Sequence, residues 1–438
     1  MGSTALDLNE MATGIGLFLV VCLLCLALLR SKRYLILFLW PILIYFCGPL
    51  ITLVFADNPF LGKYVFPDAI LSEVFIMFSY FGFFVLIDYF WDISSVIRSS
   101  FNGPSISRLA QSNVFLVLYV SIAALAAVLQ IIMMQQFGSV FTGDYVASGY
   151  VEGQIAYWGF LSGLYELIFL CFVLYLLSGQ VVRYRFLMIA LYAITAALRL
   201  SGGTRLILIK ELAVICILLF LRGRIKAFRL ITVGMIIVIV GSVIGYFRNN
   251  GEIGDNAFGP FYGVAMESGL DALTFNAAYQ VQASGYVEKH GDVLATIEFV
   301  AFSAVPSFLR LGFNQTDLDK LSPYGEGRAD FDSESPVGGM SGFATICYLS
   351  SYPLASTLAL VFGLAVLLKV GRQGAFKDIV VLVMTLDAIH FWRDPVDIAV
   401  KDVAQDVVCA LVLLYLPAAY RALKFRAARS EVRGIAVP

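Results

Sequence analysis

The sequence predicts an all-α, polytopic integral membrane protein with about eleven spans, and three observations carry that reading. Of its 438 residues 60% are hydrophobic and only 14% charged, where soluble domains carry about 25% charge. The apolar residues fall into runs of roughly 20, the length a helix needs to cross a bilayer with its backbone bonded internally. Lysine and arginine recur after every second run, which orients the runs alternately.

In order, the spans run near Ala12 to Leu29, Tyr34 to Phe55, Ala69 to Tyr89, Asn113 to Met134, Ile155 to Leu177 and Phe186 to Leu200. They continue near Leu206 to Leu221, Leu230 to Tyr246, Ser341 to Leu368, Ile379 to Phe391 and Val403 to Tyr420. The sixth, seventh and tenth are short. The first lacks a basic leader and a small-residue cleavage site and is read as retained. The chain therefore divides into residues 1–247 with spans 1 to 8, a large loop over 248–340, spans 9 to 11 over 341–420, and a basic tail over 421–438. The seven cysteines lie within apolar runs, Cys22 and Cys25 in CLLC included, and read as small core hydrophobes.

Basic residues fix the orientation. Arg30, Lys32 and Arg33 follow span 1, Arg98 and Arg108 span 3, Arg183 and Arg185 span 5, and Arg222, Arg224, Lys226 and Arg229 span 7. Lys369, Arg372 and Lys377 follow span 9, and Arg421, Lys424, Arg426, Arg429 and Arg433 close the chain. Every odd-numbered span thus exits into a basic loop, which places the N-terminus outside and the C-terminus in the cytoplasm. A net charge of −1 with evenly scattered cations leaves no basic footprint for nucleic acid.

The exceptions are informative. Lys63, Arg199, Arg205, Arg248, Lys289, Arg310, Lys320, Arg328, Arg393 and Lys401 belong to the outer half, where few cations are expected. An arginine within the apolar core costs about 2.5–3.5 kcal/mol on insertion and usually faces a cavity or a partner. The stretch from Arg248 to Met340 is far longer than its outer neighbours, and such a loop is usually functional or structured. In it, GVAMESGLDALTFNAAYQVQASGYVEKHG reads as an amphipathic helix. DVLATIEFVAFSAVPSFLRLG reads as a mostly apolar helix broken at Pro306, lying at the interface, and DLDKLSPYGEGRADFDSESPVGGM as acidic coil. No internal repeat is visible, which weighs against a transporter built from two related halves.

Four features occur in order between Arg199 and Asp402: Gly202 and Gly203 before Arg205, the proline-bearing VPSFLRLGFNQTDLDK, the glycine-rich PVGGMSGFATICYLSSYPLASTLALVFG, and FWRDP before the last span. This resembles the oligosaccharide repeat-unit polymerases of bacterial surface polysaccharides, the O-antigen and enterobacterial-common-antigen type. It departs from them at Ser307, where a basic residue is expected after the proline, and at Arg393-Asp394-Pro395, where relatives often carry RG. The resemblance implies a GT-C-like glycosyltransferase of the bacterial inner membrane. It would move a growing glycan, held on a polyprenyl diphosphate such as undecaprenyl diphosphate, onto a single lipid-linked repeat unit at the outer face, with a chain-length regulator as a further partner.

Under that reading the outer arginines serve a diphosphate leaving group. A guanidinium stays ionised and forks onto two phosphate oxygens, and stabilising charge where it develops is often the largest catalytic contribution. Arg205 and Arg310 are the leading candidates for catalysis and headgroup binding, with Arg199, Arg393 and Arg248 as further ligands. The simpler alternatives are an interface anchor for Arg205, a helix end for Arg248, and a structural pair with Asp394 for Arg393. Lys210, beside Glu211, is expected to form an ion pair or snorkel inward, and Arg328 to be solvated.

The acceptor hydroxyl needs a base. Asp387, His390 and Asp394 are spaced i, i+3, i+7 and share a face if the helix continues, although Pro395 works against its last turn. His390 oriented by a carboxylate is the candidate base, with Asp387 as a further catalytic candidate, and a capped or buried structural pair is the alternative. His290 in VEKHGD reads as an exposed loop residue. Glu267 and Asp271 share a helical face and read either as acids lying over the site or, more simply, as acids carried for solubility. The aromatics Phe258, Phe261 and Tyr262 receive no site role. No ligand spacing calls for a metal, and no cofactor is expected. The competing classes are a lipid-linked oligosaccharide flippase or exporter and a related polysaccharide ligase.

Overall fold

The computed structural model describes residues 8–55, 67–103, 113–139, 147–178, 184–201, 205–248, 262–283, 291–305, 341–370 and 374–411, and every regular element among them is a helix. In chain order these are α1 (Leu8–Arg30), α2 (Ile36–Leu39), α3 (Ile42–Tyr45), α4 (Cys47–Phe55), α5 (Pro67–Trp91) and α6 (Ile93–Phe101). Next come α7 (Asn113–Phe137), α8 (Ala147–Leu177), α9 (Arg185–Ser201), α10 (Arg205–Leu221), α11 (Ala227–Arg248) and α12 (Tyr262–Ala283). The last are α13 (Val293–Ser303), α14 (Gly342–Leu349), α15 (Pro353–Lys369), α16 (Ala375–Leu386), α17 (His390–Arg393) and α18 (396–411). Among the described residues three stretches are long and apolar enough to cross a membrane, Met11–Arg30, Asp68–Trp91 and Phe115–Phe137, and shorter apolar helices accompany them. On α1 the side chains of Ile15, Leu19, Leu23 and Leu26 form an exposed apolar stripe. Each such side chain left in water forgoes about 1.5–3 kcal/mol, so the stripe suits lipid.

The chain forms two compact units. The first comprises residues 1–98, 205–371 and 384–404, the second 99–204, 372–383 and 405–438. At the core of the first unit α12 packs against α3, α4, α5, α11 and α14. The expected amphipathic helix of the long loop is therefore a core helix, buried from Ser268 to Ala278 except at the half-buried Leu270. Small side chains permit this, because they let helix backbones approach closely. At Gly48 of α4 even a Cβ would overlap the carbonyl of Ser268. α13 is the one that is half exposed: Thr296, Phe299, Val300 and Ser303 face inward while Leu294 faces out, and Asp292 caps its N-terminus by accepting from the Ala295 amide at 2.7 Å.

Three expected spans are interrupted in this unit. Span 2 is split into α2, α3 and α4, with Pro41 at the first break, where a proline cannot donate to the preceding turn. Span 9, read as continuous from Ser341 to Leu368, is two helices, since α14 ends at Leu349 and α15 starts at Pro353. The backbone freed between them is satisfied by neighbours: Gln282 Nε2 donates to the Ser350 carbonyl at 2.9 Å, and the Ser351 amide and hydroxyl both donate to the Gly291 carbonyl. Irregular backbone at membrane depth survives only with such partners. Span 10 stops at Leu386 and resumes as the single turn α17.

In the second unit α7, α8 and α9 pack on one another. Tyr119 donates to the Met188 carbonyl at 3.2 Å, Tyr165 to Gln130 Oε1 at 3.1 Å, and the rings of Phe172 and Tyr192 stack at 4.2 Å.

Substituting Gly48 by alanine is expected to lower the thermal stability of the purified protein by about 1–3 kcal/mol, as overpacking does. Gly363, whose Cβ position is open, should tolerate alanine with no loss. Equal melting temperatures for the two variants would refute the close α4–α12 contact.

Candidate functional site

The candidate site lies in the first unit around α10, α17 and the turns that flank α17. Lys210, one turn into α10, is fully buried in an apolar run. Its Nζ lies 3.5 Å from Asp387 Oδ1 and 3.2 Å from His390 Nε2. His390 Nδ1 lies 2.5 Å from Asp394 Oδ2, and Arg393 Nη1 is 3.8 Å from the other oxygen of Asp394. A protonated lysine has only donors, so Nε2 accepts from Lys210 and Nδ1–H donates to Asp394. The imidazole is thereby held in one tautomer and one orientation.

The backbone explains how these groups meet. α16 ends at Leu386, a turn at 387–389 interrupts the helix, and the His390 amide donates to the Asp387 carbonyl at 2.9 Å. α17 then lasts one turn before Asp394, in extended conformation ahead of Pro395, sends its side chain back to His390. Asp387, His390 and Asp394 do converge as their spacing suggests, by way of a broken helix. Trp392, fully buried, anchors the turn: its ring lies 5.0 Å from both Tyr80 and Phe343, and the Phe391 ring 5.9 Å from Phe38. Gly342 at the start of α14 rests on the Phe391 carbonyl, where a Cβ would overlap it.

Burial alone would raise the Asp394 carboxyl, yet the Arg393 guanidinium, the hydrogen bond from His390 and the nearby Lys210 bring it below the ordinary carboxylate range. That depression stabilises the fold above the usual carboxylate pKa of about 3.9 and is lost as pH falls through the lowered folded value.

The other expected residues stand as follows. Arg199 is 5% exposed in the second unit, where it pairs with Glu166 at 3.3 Å and lies over the Tyr165 ring at 4.8 Å. Arg205 opens α10 and Arg248 closes α11, but their side chains, like that of Glu267 on α12, fall outside the described residues, as do Arg310, Arg328, His290, Phe258, Phe261 and the acidic stretch before Ser341. Asp271 is buried, contrary to a solubility role. Lys210 does form an ion pair, with Asp387, 177 residues on, and its side chain is fully buried. The available signal was the charge itself, since an ionisable residue inside a span marks a site by default. All seven cysteines are free, and among the described residues no three His, Cys, Asp or Glu side chains converge as metal ligands. Compared with known protein families, curated proteins and solved structures, the chain matches none.

Removing one partner of a buried ion pair costs about 3–5 kcal/mol, whereas replacing both by apolar groups is often neutral. Lys210→Met and Asp387→Leu are each expected to destabilise the purified protein by that amount, and the double variant to recover most of the loss. Additive losses in thermal unfolding would show that the two groups do not act as a pair.

Proposed function

We propose that this chain is a membrane glycosyltransferase with about eleven spans and a GT-C-like arrangement, polymerising polyprenyl-diphosphate-linked repeat units into a surface polysaccharide at the outer face of a bacterial inner membrane. The observation that supports it most is His390, oriented by Asp394 on one nitrogen and presenting the lone pair of the other toward Lys210. A carboxylate-oriented imidazole is the arrangement that general-base catalysis uses.

The step balances simply. The acceptor hydroxyl oxygen bonds to the anomeric carbon as that carbon's bond to the diphosphate oxygen breaks. The hydroxyl proton passes to His390 Nε2, displacing Lys210 from that lone pair, and Asp394 balances the imidazolium. The electron pair leaves with the lipid diphosphate, whose charge Arg393, 38% exposed at its side chain, would meet from the same turn, with Arg205 and Arg310 as further ligands. No metal enters this scheme.

A second reading, a flippase or exporter of lipid-linked oligosaccharide, is favoured by the interrupted helices of the first unit, because transporters build substrate sites from discontinuous helices. Glycan banding in a strain lacking the chain separates the two. Single-repeat products are expected for a polymerase, and lipid-linked units trapped on the inner face would favour transport. In a complemented strain His390→Gln and Arg205→Ala should leave the protein abundant and inserted while chain elongation falls, for the histidine by roughly 10²–10⁴-fold. Normal-length polymer from either variant would remove that residue from the mechanism. With purified protein and lipid-linked repeat units, elongation should survive chelation, and a loss restored by divalent ions would overturn the metal-free step.

A further inference from the structure

Four helices of the first unit end at one corner: α1 at Arg30, α5 at Trp91, α10 at Leu221 and α15 at Lys369. Contacts join these ends in series. Lys369 Nζ donates to the Trp91 carbonyl at 2.6 Å, Arg33 Nη1 donates to Asp92 Oδ1 at 2.8 Å, and Lys32 Nζ lies 3.9 Å from where a Cβ on Gly223 would sit. α1 and α10 close in the same way. The Lys32 amide donates to the Leu29 carbonyl and the Arg33 amide to that of Leu28, and the Gly223 and Arg224 amides repeat the pattern on Phe220 and Leu219. Such a Schellman ending needs a left-handed residue, usually glycine, and α10 supplies Gly223 at φ 69°. α1 puts Lys32 there instead, at φ 52°. A side chain is strained in that conformation and persists where the surroundings hold it. Here they do: Arg98 of α6 donates to the Lys32 carbonyl at 3.3 Å while lying over the Tyr34 ring at 5.5 Å, and the next residue, Arg33, is tied to Asp92.

The strained turn keeps an exposed ammonium beside a second turn that carries exposed Arg224 and Lys226. The acids of this corner are engaged elsewhere. Asp88 is buried and accepts from the Ser94 amide and hydroxyl at 2.6 and 3.0 Å, and Arg33 takes up Asp92 and lies 3.7 Å from Asp88. Apolar side chains lead away from the cations. The exposed stripe of α1 runs through Leu19, Leu23 and Leu26 to exposed Arg30, and Phe228 and Ile231 are exposed on α11 just beyond Lys226.

We propose that this corner binds an anionic phospholipid, with Lys32 and Arg224 on the headgroup phosphate and the acyl chains against the α1 stripe. The surface offers both halves of such a molecule, cations and an adjoining apolar face, whereas a soluble phosphate or an acidic protein would use the cations alone. The proposal rests on α1 crossing a membrane and is independent of glycosyl transfer. The corner lies at the far end of α10 from Lys210, about 17 Å along the axis at 1.5 Å per residue.

The test is lipid binding by the purified full chain in detergent, read by native mass spectrometry and by melting temperature. The probes are dioleoylphosphatidylglycerol, dioleoylphosphatidylcholine and inorganic phosphate. Phosphatidylglycerol is expected to bind more tightly than phosphatidylcholine and to raise the melting temperature, and phosphate to leave it unchanged. Lys32→Gly is the informative variant, because glycine suits the left-handed turn and the variant should melt no lower than the unmodified protein without lipid. Its preference for phosphatidylglycerol should nevertheless fall about fivefold, and that of Lys32→Gly combined with Arg224→Gln about 25-fold. Arg185→Gln, which removes an exposed cation of the second unit, should keep the full preference. Equal binding of the two lipids by the unmodified protein, an undiminished preference in the double variant, or an equal loss in Arg185→Gln would overturn the site, the last by showing diffuse surface charge only. Equal stabilisation by inorganic phosphate would also overturn it, in favour of a soluble anion.

Discussion

An ammonium group with no route to water is the constraint around which the first unit is organised. Lys210 is fully buried, and an uncompensated charge in so dry a place would cost several kcal/mol. Two groups from one distant segment meet it, Asp387 by charge and His390 by a lone pair. Residues three apart on a helix share a face, and the turn at 387–389, in which the His390 amide donates to the Asp387 carbonyl, keeps both within reach of Lys210. Trp392 and Gly342 then hold the restarted turn from either side, one by filling space and the other by vacating it. The function assigned to His390 rests on this support, because an imidazole is useful as a base only while its tautomer and direction are fixed.

Much of the architecture was legible from hydropathy. The long apolar runs behind α1, α5 and α7 appear as helices within a few residues of their expected ends, because uninterrupted apolar sequence at bilayer length leaves the backbone little alternative to a helix. Interruptions were not legible. Ser350 to Tyr352 look like ordinary span residues, and what allows a break there is Gln282 and Gly291, partners supplied by another part of the chain. The fate of α12 was hidden for a related reason. Its Ser268, Asp271, Thr274 and Asn276 suggest a wet face, yet all four are buried, because small polar side chains can bond locally, as Thr274 does to the Asp271 carbonyl, and so pass as core.

The site shows the same division. Spacing alone brought Asp387, His390 and Asp394 together on paper, since local periodicity is a property of neighbours. That Lys210 would form an ion pair was legible, but not with which residue, because sequence proximity carries no information about a partner 177 residues away. Arg199 illustrates the complementary case in the second unit: an arginine near a span end drew attention as a ligand, and the structure gives it Glu166 and the face of Tyr165. A buried, stacked cation has less to offer an incoming phosphate than one that is 38% exposed, as the Arg393 side chain is even beside Asp394.

Two buried ionisable groups of the first unit, Lys210 and Glu73, are met in different ways, and α14 lies between them. Around Lys210 the charges cancel in place, so that cluster needs no exchange with solvent to exist. Glu73 is instead fully buried with no hydrogen-bond partner on either carboxylate oxygen. α14 has eight residues, all buried, and is about 12 Å long. Gly342 at its start rests on the backbone of Phe391, and Cys347, five residues later, interacts with Glu73. A helix so short and so fully enclosed cannot yield at one end and stay fixed at the other, because close-packed interiors transmit displacement. The packing of α14, rather than any direct contact, is therefore the physical link between the surroundings of Glu73 and the turn that carries the candidate base.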